Sequence, residues 1–449
     1  MDVSIIETSS LGDRSYLISA EGTAVVVDPQ RDIDRVLHLA RDRGTRITHV
    51  LETHIHNDYV TGGLELARVT NAEYVVPAGD DLRYQRRAVK DGDIIDAGAF
   101  TLLVLHTPGH THHHVAYVLR ENTGVPVGVF TGGSMLYGST GRTDLVGAEH
   151  TEQLTHAQYH SVRRLAAELP PETAVYPTHG FGSFCSATPT SGESSTVGEQ
   201  RDTNPALTQD EQSYVDELIA GLTAYPAYYA HMGVINIAGP APVDLSAPEP
   251  VDPDELRRRI DNGEWVVDLR DRTAFAAGHL GGTLSFELSD SFVTYLGWLY
   301  KWGAPLTLIS KNHEDIAEAR RELVRIGIDD LAGAAVGEIH TLIDGTEPRS
   351  YRVAQFPDLP PASADRKITV LDVRRTDEYD TSHIHDAINI PLHELTDRID
   401  TVPAGEVWVH CASGYRASIA ASLIDRPHRD VVLINDDYDH ATDLGLTTQ

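Results

Sequence analysis

The sequence predicts a layered α/β protein with one larger domain followed by two smaller ones. Three observations lead there. The chain has 449 residues, more than a single core holds, because cores stop growing near ~250–300 residues. Residues 1–180 alternate short β-rich runs with helical stretches, which is the pattern of stacked sheets and helices. In the remainder, a segment of about 100 residues occurs twice in weakly similar form, which reads as an internal repeat.

The first region supplies the strands in order. YLIS, AVVVD, ITHVLETH, EYVVP, FTLLVLHTPGH, HVAYVL, VGVFTGG and AVYPTHG are all rich in branched or aromatic residues, and several end on polar ones. Helical periodicity fits DIDRVLHLARDRG, stopped by glycine, and EQLTHAQYHSVRRLAAELP, stopped by proline. Residues 186–203 read as a flexible excursion and 208–222 as a helix. The Pro- and Ala-rich segment 238–253 reads as the main linker, and FPDLPPASAD, 356–365, as a shorter one. The domains expected are therefore 1–240, a linker 241–253, then 254–352 and 366–449. Each of the last two carries a strand ending in Asp-Leu/Val-Arg, a short helix, a His-Leu/Ile turn, a second apolar strand and a further helix.

Composition narrows the function. Hydrophobic residues make up 41% of the chain, enough for folded domains. The net charge of −31 argues against a nucleic-acid partner, whose phosphates need a basic surface. No apolar run reaches the ~18 residues that span a bilayer, and the N-terminus lacks the basic-then-apolar order of a signal peptide. A cytoplasmic protein with no membrane partner is expected. The two cysteines, Cys185 and Cys411, lie too far apart in sequence to suggest a disulfide framework.

Candidate metal ligands gather at strand ends. His54 and His56 alternate in THIHND, His110 follows the turn of TPGH, and His179 ends YPTHG. Imidazoles on separate strand-end loops can converge on one cation. His112, His113 and His114 read as outer residues.

With these motifs, residues 1–240 resemble the metallo-β-lactamase superfamily, nearest its glyoxalase II and persulfide dioxygenase branch. The matched motifs are THIHND, TPGHT, VFTGG, GRTDL and PTHG. The resemblance implies an αββα sandwich. It also exposes two departures. Tyr59 stands where relatives carry His, and Gly133 where they carry the Asp of TGD. Asp58 and His179 survive from the second metal position, as a residual site. A two-metal hydrolase is thus not expected. One Fe(II) or Zn(II) on His54, His56 and His110 is the expected cofactor.

The second motif is VWVHCASGYRASIAASL. An apolar strand delivers Cys411, the loop runs through Ala412, Ser413, Gly414 and Tyr415 to Arg416, and a helix follows. Backbone N–H groups around such a loop, with a helix N-terminus behind them, favour a thiolate or a bound anion. Residues 366–449 resemble a rhodanese domain, LDVR and HIHDAINIP included. The resemblance implies a sulfurtransferase in which Cys411 carries a persulfide and Arg416 supplies positive charge, with no cofactor needed. Ser310 falls near the Cys411 position in the first copy, so that copy is expected to be inactive. Cys185 reads as a buried structural thiol.

The expected function is thus a sulfur-metabolism fusion acting on small sulfur donors, with thiol or sulfite acceptors, as a monomer or a homo-oligomer. The alternatives are a zinc-dependent thioester hydrolase and a non-enzymatic persulfide carrier or sensor.

Overall fold

The structure of the protein, a computed structural model, describes residues 1–448 apart from 189, 191, 344 and 346. The chain divides into two compact units, Met1–Asp244 with Glu322–Gly327, and Leu245–Arg321 with Ile328–Gln449.

The first unit holds two six-stranded sheets. One runs in sequence order through β1 (Asp2–Thr8), β2 (Asp13–Ala20), β3 (Thr23–Val27), β4 (Arg46–Leu51), β5 (Glu73–Pro77) and β6 (Arg87–Val89). The other contains β7 (Ile94–Asp96), β8 (Phe100–His106), β9 (Val115–Glu121), β10 (Pro126–Gly132), β11 (Ala174–Pro177) and β12 (Ser195–Thr196), also adjacent in order.

Alternation along each strand sorts side chains between two faces. Tyr16, Ile18, Val25, Val27 and Leu51 meet Phe100, Leu102, Val104, Tyr117 and Phe130 in a core between the sheets. The intervening Leu17, Ala24, Val26 and Val50 face Val36 and Ala40 of helix Asp34–Asp42 and Leu66 and Ala67 of helix Gly63–Thr70. On the other sheet, Leu105, Ala116, Val118 and Val129 pack on Tyr159, Val162 and Leu165 of helix Thr151–Glu168. Both outer faces are covered by helices, so the layers are α, β, β, α.

Two expectations are corrected. Within 186–203, Ser195 pairs with Val175 in the sheet. Helix Val197–Thr203 then starts at a capping box in which Thr196 and Glu199 satisfy each other's backbone. Positions 189 and 191 lie outside the described residues. The second proposed linker is core structure. Phe356 is fully buried, helix Leu359–Asp365 follows, and Phe356, Leu359 and Ala362 pack with Trp408 and Ile434. Its prolines start a helix, where a missing N–H is harmless.

The second unit repeats a small parallel sheet. The first copy has the order β14 (Leu284–Ser285), β13 (Trp265–Asp268), β15 (Leu306–Ser310), β16 (Gly333–Val336). The second has β17 (Arg352–Ala354), β22 (Arg429–Ile434), β21 (Gly405–His410), β18 (Thr369–Asp372) and β20 (Ile388–Asn389), with a short pair β19 (His383–Ile384) and β23 (Thr447–Thr448) beside it. Central strands such as LTLIS are buried at every position, as parallel strands covered on both faces must be. Among the described residues, no helix is long and apolar enough to cross a membrane.

Candidate functional site

The first site lies on strand-end loops of the sandwich. His54, His56 and Asp58 follow β4, His110 follows β8, Gly133 follows β10 and His179 follows β11. Backbone bonds tie these loops together: Val115 donates to Thr53, Thr178 to Gly132 and Arg14 to Thr178. All four histidines are at most 1% exposed.

Each ring is oriented from behind. Asp28, in a left-handed conformation at φ 50°, accepts from the Thr53 N–H and hydroxyl, both at 2.7 Å. The Thr53 oxygen faces His54 Nδ1 at 2.9 Å, which puts the His54 proton on Nδ1 and leaves Nε2 bare. His110 Nδ1 donates to the Arg142 carbonyl at 2.7 Å, and its Nε2 has no hydrogen-bond partner. His179 Nδ1 lies 2.9 Å from Asp13 and 3.0 Å from Asp58. Its Nε2 lies 3.3 Å from His54 Nε2. His114 is fully engaged, accepting from the Gly133 N–H at 3.0 Å and bonded to Thr107 at 2.9 Å.

His56 faces the other way. Its Nε2 lies 3.0 Å from the Tyr59 hydroxyl and 3.3 Å from both Asp28 and Glu52. Tyr59 is fully buried and stacks on His56 with centroids 4.3 Å apart. The structure therefore brings His54, His56 and His110 into one cluster, with ring centroids 4.1 and 4.8 Å from His54. The three donor atoms within 4.8 Å of one another, however, are those of His54, His110 and His179. His56 groups instead with Asp58 and His179, or with Asp28 and Glu52.

Electrostatics follows the partners. Burial holds His110 down to about 3 and His54 well below its ordinary value, so both are neutral ligands in waiting. Burial also opposes charge on His56, but Asp28 and Glu52 outweigh it and raise it to about 9. Burial and the Asp58 charge push Asp13 up to about 7. Buried His110 Nε2 has no hydrogen-bond partner, as befits a nitrogen aimed at a cation. The donor set fits a metal. Gly133 leaves no room for the missing carboxylate, since a Cβ there would lie 2.3 Å from His110 Cδ2.

Asp13, Asp28 and Glu52 were not singled out from sequence. The available signal was a carboxylate at the start or end of an apolar strand. Cys185 is fully buried, and its thiol lies against Asp58 and Tyr229. Burial raises it well above the ordinary thiol range.

The second site is the cysteine loop. β21, between β22 and β18 in its sheet, ends beside Cys411, which is 2% exposed. The Gly414 N–H donates to Cys411 Sγ at 3.2 Å. Gly414 has φ +90°, and a Cβ there would lie 2.2 Å from Asn435 Oδ1. Only glycine suits both demands. Helix Tyr415–Ile424 starts at once, so its N-terminal field falls on the loop. Arg416, expected to face the sulfur, forms a two-pronged pair with Glu378 at 2.6 and 2.8 Å.

The first copy buttresses this loop. Tyr415 donates to the Glu287 carbonyl at 2.8 Å. Arg272 pairs with Glu287 at 2.6 Å, donates to Asn435 at 2.7 Å and reaches the Ser413 carbonyl at 3.5 Å. The Tyr295 ring lies 5.7 Å from that of Tyr415.

Register makes the two copies comparable. Asp372 sits opposite His410, one residue before Cys411. Asp268 sits opposite Ile309, one residue before Ser310. Both aspartates clamp the arginine two residues on at 2.6 Å. Ser310 thus occupies the Cys411 position. Its hydroxyl donates to Asp315 at 2.5 Å, so a carboxylate stands where an anion would bind.

Family models match two parts of the chain. The metallo-β-lactamase superfamily model matches residues 13–179, and the rhodanese-like domain model matches residues 359–440. Human mitochondrial persulfide dioxygenase ETHE1 is 31% identical over 252 residues, covering 55% of this chain and 83% of that protein. A hydroxyacylglutathione hydrolase from a Polaromonas species is 34% identical over 172 residues, 37% of this chain and 62% of that one. The crystal structure of a metallo-β-lactamase from Staphylococcus aureus aligns with TM-score 0.68 at 28% identity, covering 75% of this chain and 99% of that chain. The chain belongs to the metallo-β-lactamase superfamily. It joins an ETHE1-like and glyoxalase II-like domain of that family to a rhodanese-like domain.

Proposed function

We propose that the chain is a rhodanese-type sulfurtransferase fused to a persulfide dioxygenase-like domain with an altered metal site. The observation that carries the first part is the Gly414 N–H aimed at Cys411 Sγ. Backbone N–H groups at a helix N-terminus favour negative charge on an anion held in the loop. The Cys411 thiolate attacks the outer sulfur of a donor such as thiosulfate. A Cys–S bond forms, the donor S–S bond breaks, and sulfite leaves with the electron pair. An acceptor thiolate or sulfite then attacks the terminal sulfur, and the Cys411 thiolate returns. No net redox change occurs, and the double displacement predicts ping-pong kinetics.

Arg416 is pinned to Glu378, so its role is a fixed positive wall beside the loop. Ala412, Ser413 and Tyr415 complete the turn. Mass spectrometry after thiosulfate treatment should show a gain of about 32 Da, the mass of one sulfur atom, on the peptide containing Cys411, as covalent catalysis requires. An unmodified peptide, or equal turnover by Cys411→Ala, refutes the assignment.

For the first domain, likeness to persulfide dioxygenase over 83% of its length supports chemistry on a small persulfide. Bound iron(II) would supply oxygen activation there, and bound zinc would supply a Lewis acid. The buried imidazoles would hold the ion, and the Asp28, Arg142 and Asp13 contacts would fix their protons. Oxidation of a persulfide would deliver sulfite, which the Cys411 persulfide can convert to thiosulfate, giving the fusion a rationale. Oxygen uptake with a glutathione persulfide by iron-loaded protein, against an iron-free control, tests this. Thioester hydrolysis by zinc-loaded protein is the competing outcome.

A further inference from the structure

We infer that the first domain holds a single divalent cation, zinc by preference, on the Nε2 atoms of His54, His110 and His179, with His179 replacing the carboxylate that residue 133 lacks. This rests on the reading that the domain binds metal at all, and it names the ligands.

Three observations carry it. First, His54 Nε2 and His179 Nε2 lie 3.3 Å apart in a fully buried setting. Two nitrogens bound to one tetrahedral zinc at ~2.0–2.1 Å are separated by about 3.3–3.4 Å. Second, each of the three rings has its Nδ1 engaged, by Thr53, Arg142 and Asp13 respectively. A ligating imidazole held from behind by a hydroxyl, carbonyl or carboxylate is the arrangement metal sites use to fix ring and tautomer. His56 is held the opposite way round, Nε2 outward against Asp28, Glu52 and Tyr59. Its Nδ1 is left toward Asp58 and His179. There the His179 Nδ1–H is already directed at Asp13 and Asp58, so that nitrogen is not free to ligate a second ion.

Third, the site has closed around Gly133. A Cβ at 133 would meet His110 at 2.3–2.8 Å along the ring edge that ends in Nε2. The His110 ring occupies the space through which a residue-133 carboxylate would reach the ion. Oxygen-activating Fe(II) favours two imidazoles and one carboxylate, whereas three imidazoles with an open position suit zinc.

The test uses the full chain, stripped with a chelator and reloaded with Zn(II) or Co(II). Elemental analysis after dialysis and the visible Co(II) spectrum are the readouts. One equivalent is expected, with a four-coordinate Co(II) spectrum. His179→Gln should lose the ion and His56→Gln should keep it. Asp13→Asn, which removes the charge behind His179, should weaken affinity ~10–100-fold. Gly133→Asp should weaken binding as well, since it displaces His110. Circular dichroism checks that each variant is folded. If His179→Gln does not fold, X-ray absorption of the zinc-loaded wild type decides, with three imidazoles expected. Two equivalents, two imidazoles plus a carboxylate, retention in folded His179→Gln or tighter binding in Gly133→Asp overturns the ligand set. Wild type that takes up no metal overturns the metal-binding reading itself.

Discussion

At the scale of single residues, two glycines show how little substitution these sites tolerate. Gly414 combines a left-handed φ with an approach to Asn435 that leaves no space for a Cβ. Gly414→Ala should therefore cost about 1–3 kcal/mol for a non-glycine residue in that region, and it should move the N–H that faces Cys411. The expected outcome is a lower melting temperature together with loss of sulfur loading, read by calorimetry and by mass spectrometry. Unchanged loading would remove the loop N–H from the mechanism.

Glu378 gives a prediction in pH. Burial alone would raise its carboxyl, but the Arg416 pair outweighs burial and holds it below its ordinary value. A depressed folded value stabilises at pH above the unfolded value near 4.5. That contribution fades as pH falls through the lower folded value. Thermal midpoints measured downward from pH 5 should fall less steeply in Glu378→Gln than in wild type. Parallel curves would mean that the pair contributes nothing to acid stability. Cys411, Gly414 and Arg416 were legible in sequence because spacing alone defines the loop. The Glu378 partner was not, since it lies 38 positions away and nothing local marks it.

At the scale of elements, the repeated strands carry the instructive contrast. The paired registers place Ser310 where Cys411 stands, as the sequence comparison anticipated. What sequence did not reveal is that Asp315, five residues on, turns back onto Ser310. Ser310→Cys should therefore remain unloaded by thiosulfate, because a neighbouring carboxylate opposes both a thiolate and an incoming anion. A sulfur adduct at residue 310 would show that the nucleophile alone suffices.

The first copy nevertheless contributes, through Arg272, to holding the active loop. Arg272→Ala removes a charged hydrogen bond, of a kind worth ~1.5–3 kcal/mol. Loss of loop positioning should lower kcat for sulfur transfer by about tenfold, the equivalent of the lower figure, and leave the KM for thiosulfate little changed. A change in KM alone would make Arg272 a donor-binding group instead. Segment 356–365 reads as a linker in the sequence and folds as a helix for a physical reason. Proline and alanine mark linkers by composition, but here the prolines open a helix whose apolar residues fill a core.

At the scale of the whole chain, periodicity carried most of the architecture. Strict alternation in β2, β3 and β8 defines which side chains lie between the sheets and which face helices. That His179, and not His56, turns its donor atom toward those of His54 and His110 was out of reach, because ring orientation depends on how strand-end loops from two sheets meet. Each candidate site sits wholly within one compact unit. The histidine cluster belongs to Met1–Asp244, and the cysteine loop with its Arg272 and Glu287 supports belongs to the other unit. Each unit also has its own buried core. Groups with no shared partner contribute independently, so the chemistry at one site should survive loss of the other. Metal-stripped protein should still acquire one sulfur on Cys411 from thiosulfate at the wild-type rate, and Cys411→Ala should bind metal with unchanged stoichiometry. Failure of stripped protein to load sulfur, with its fold intact by circular dichroism, would show that the ion acts on the cysteine loop through the chain. The fusion would then be a coupled device rather than two independent sites.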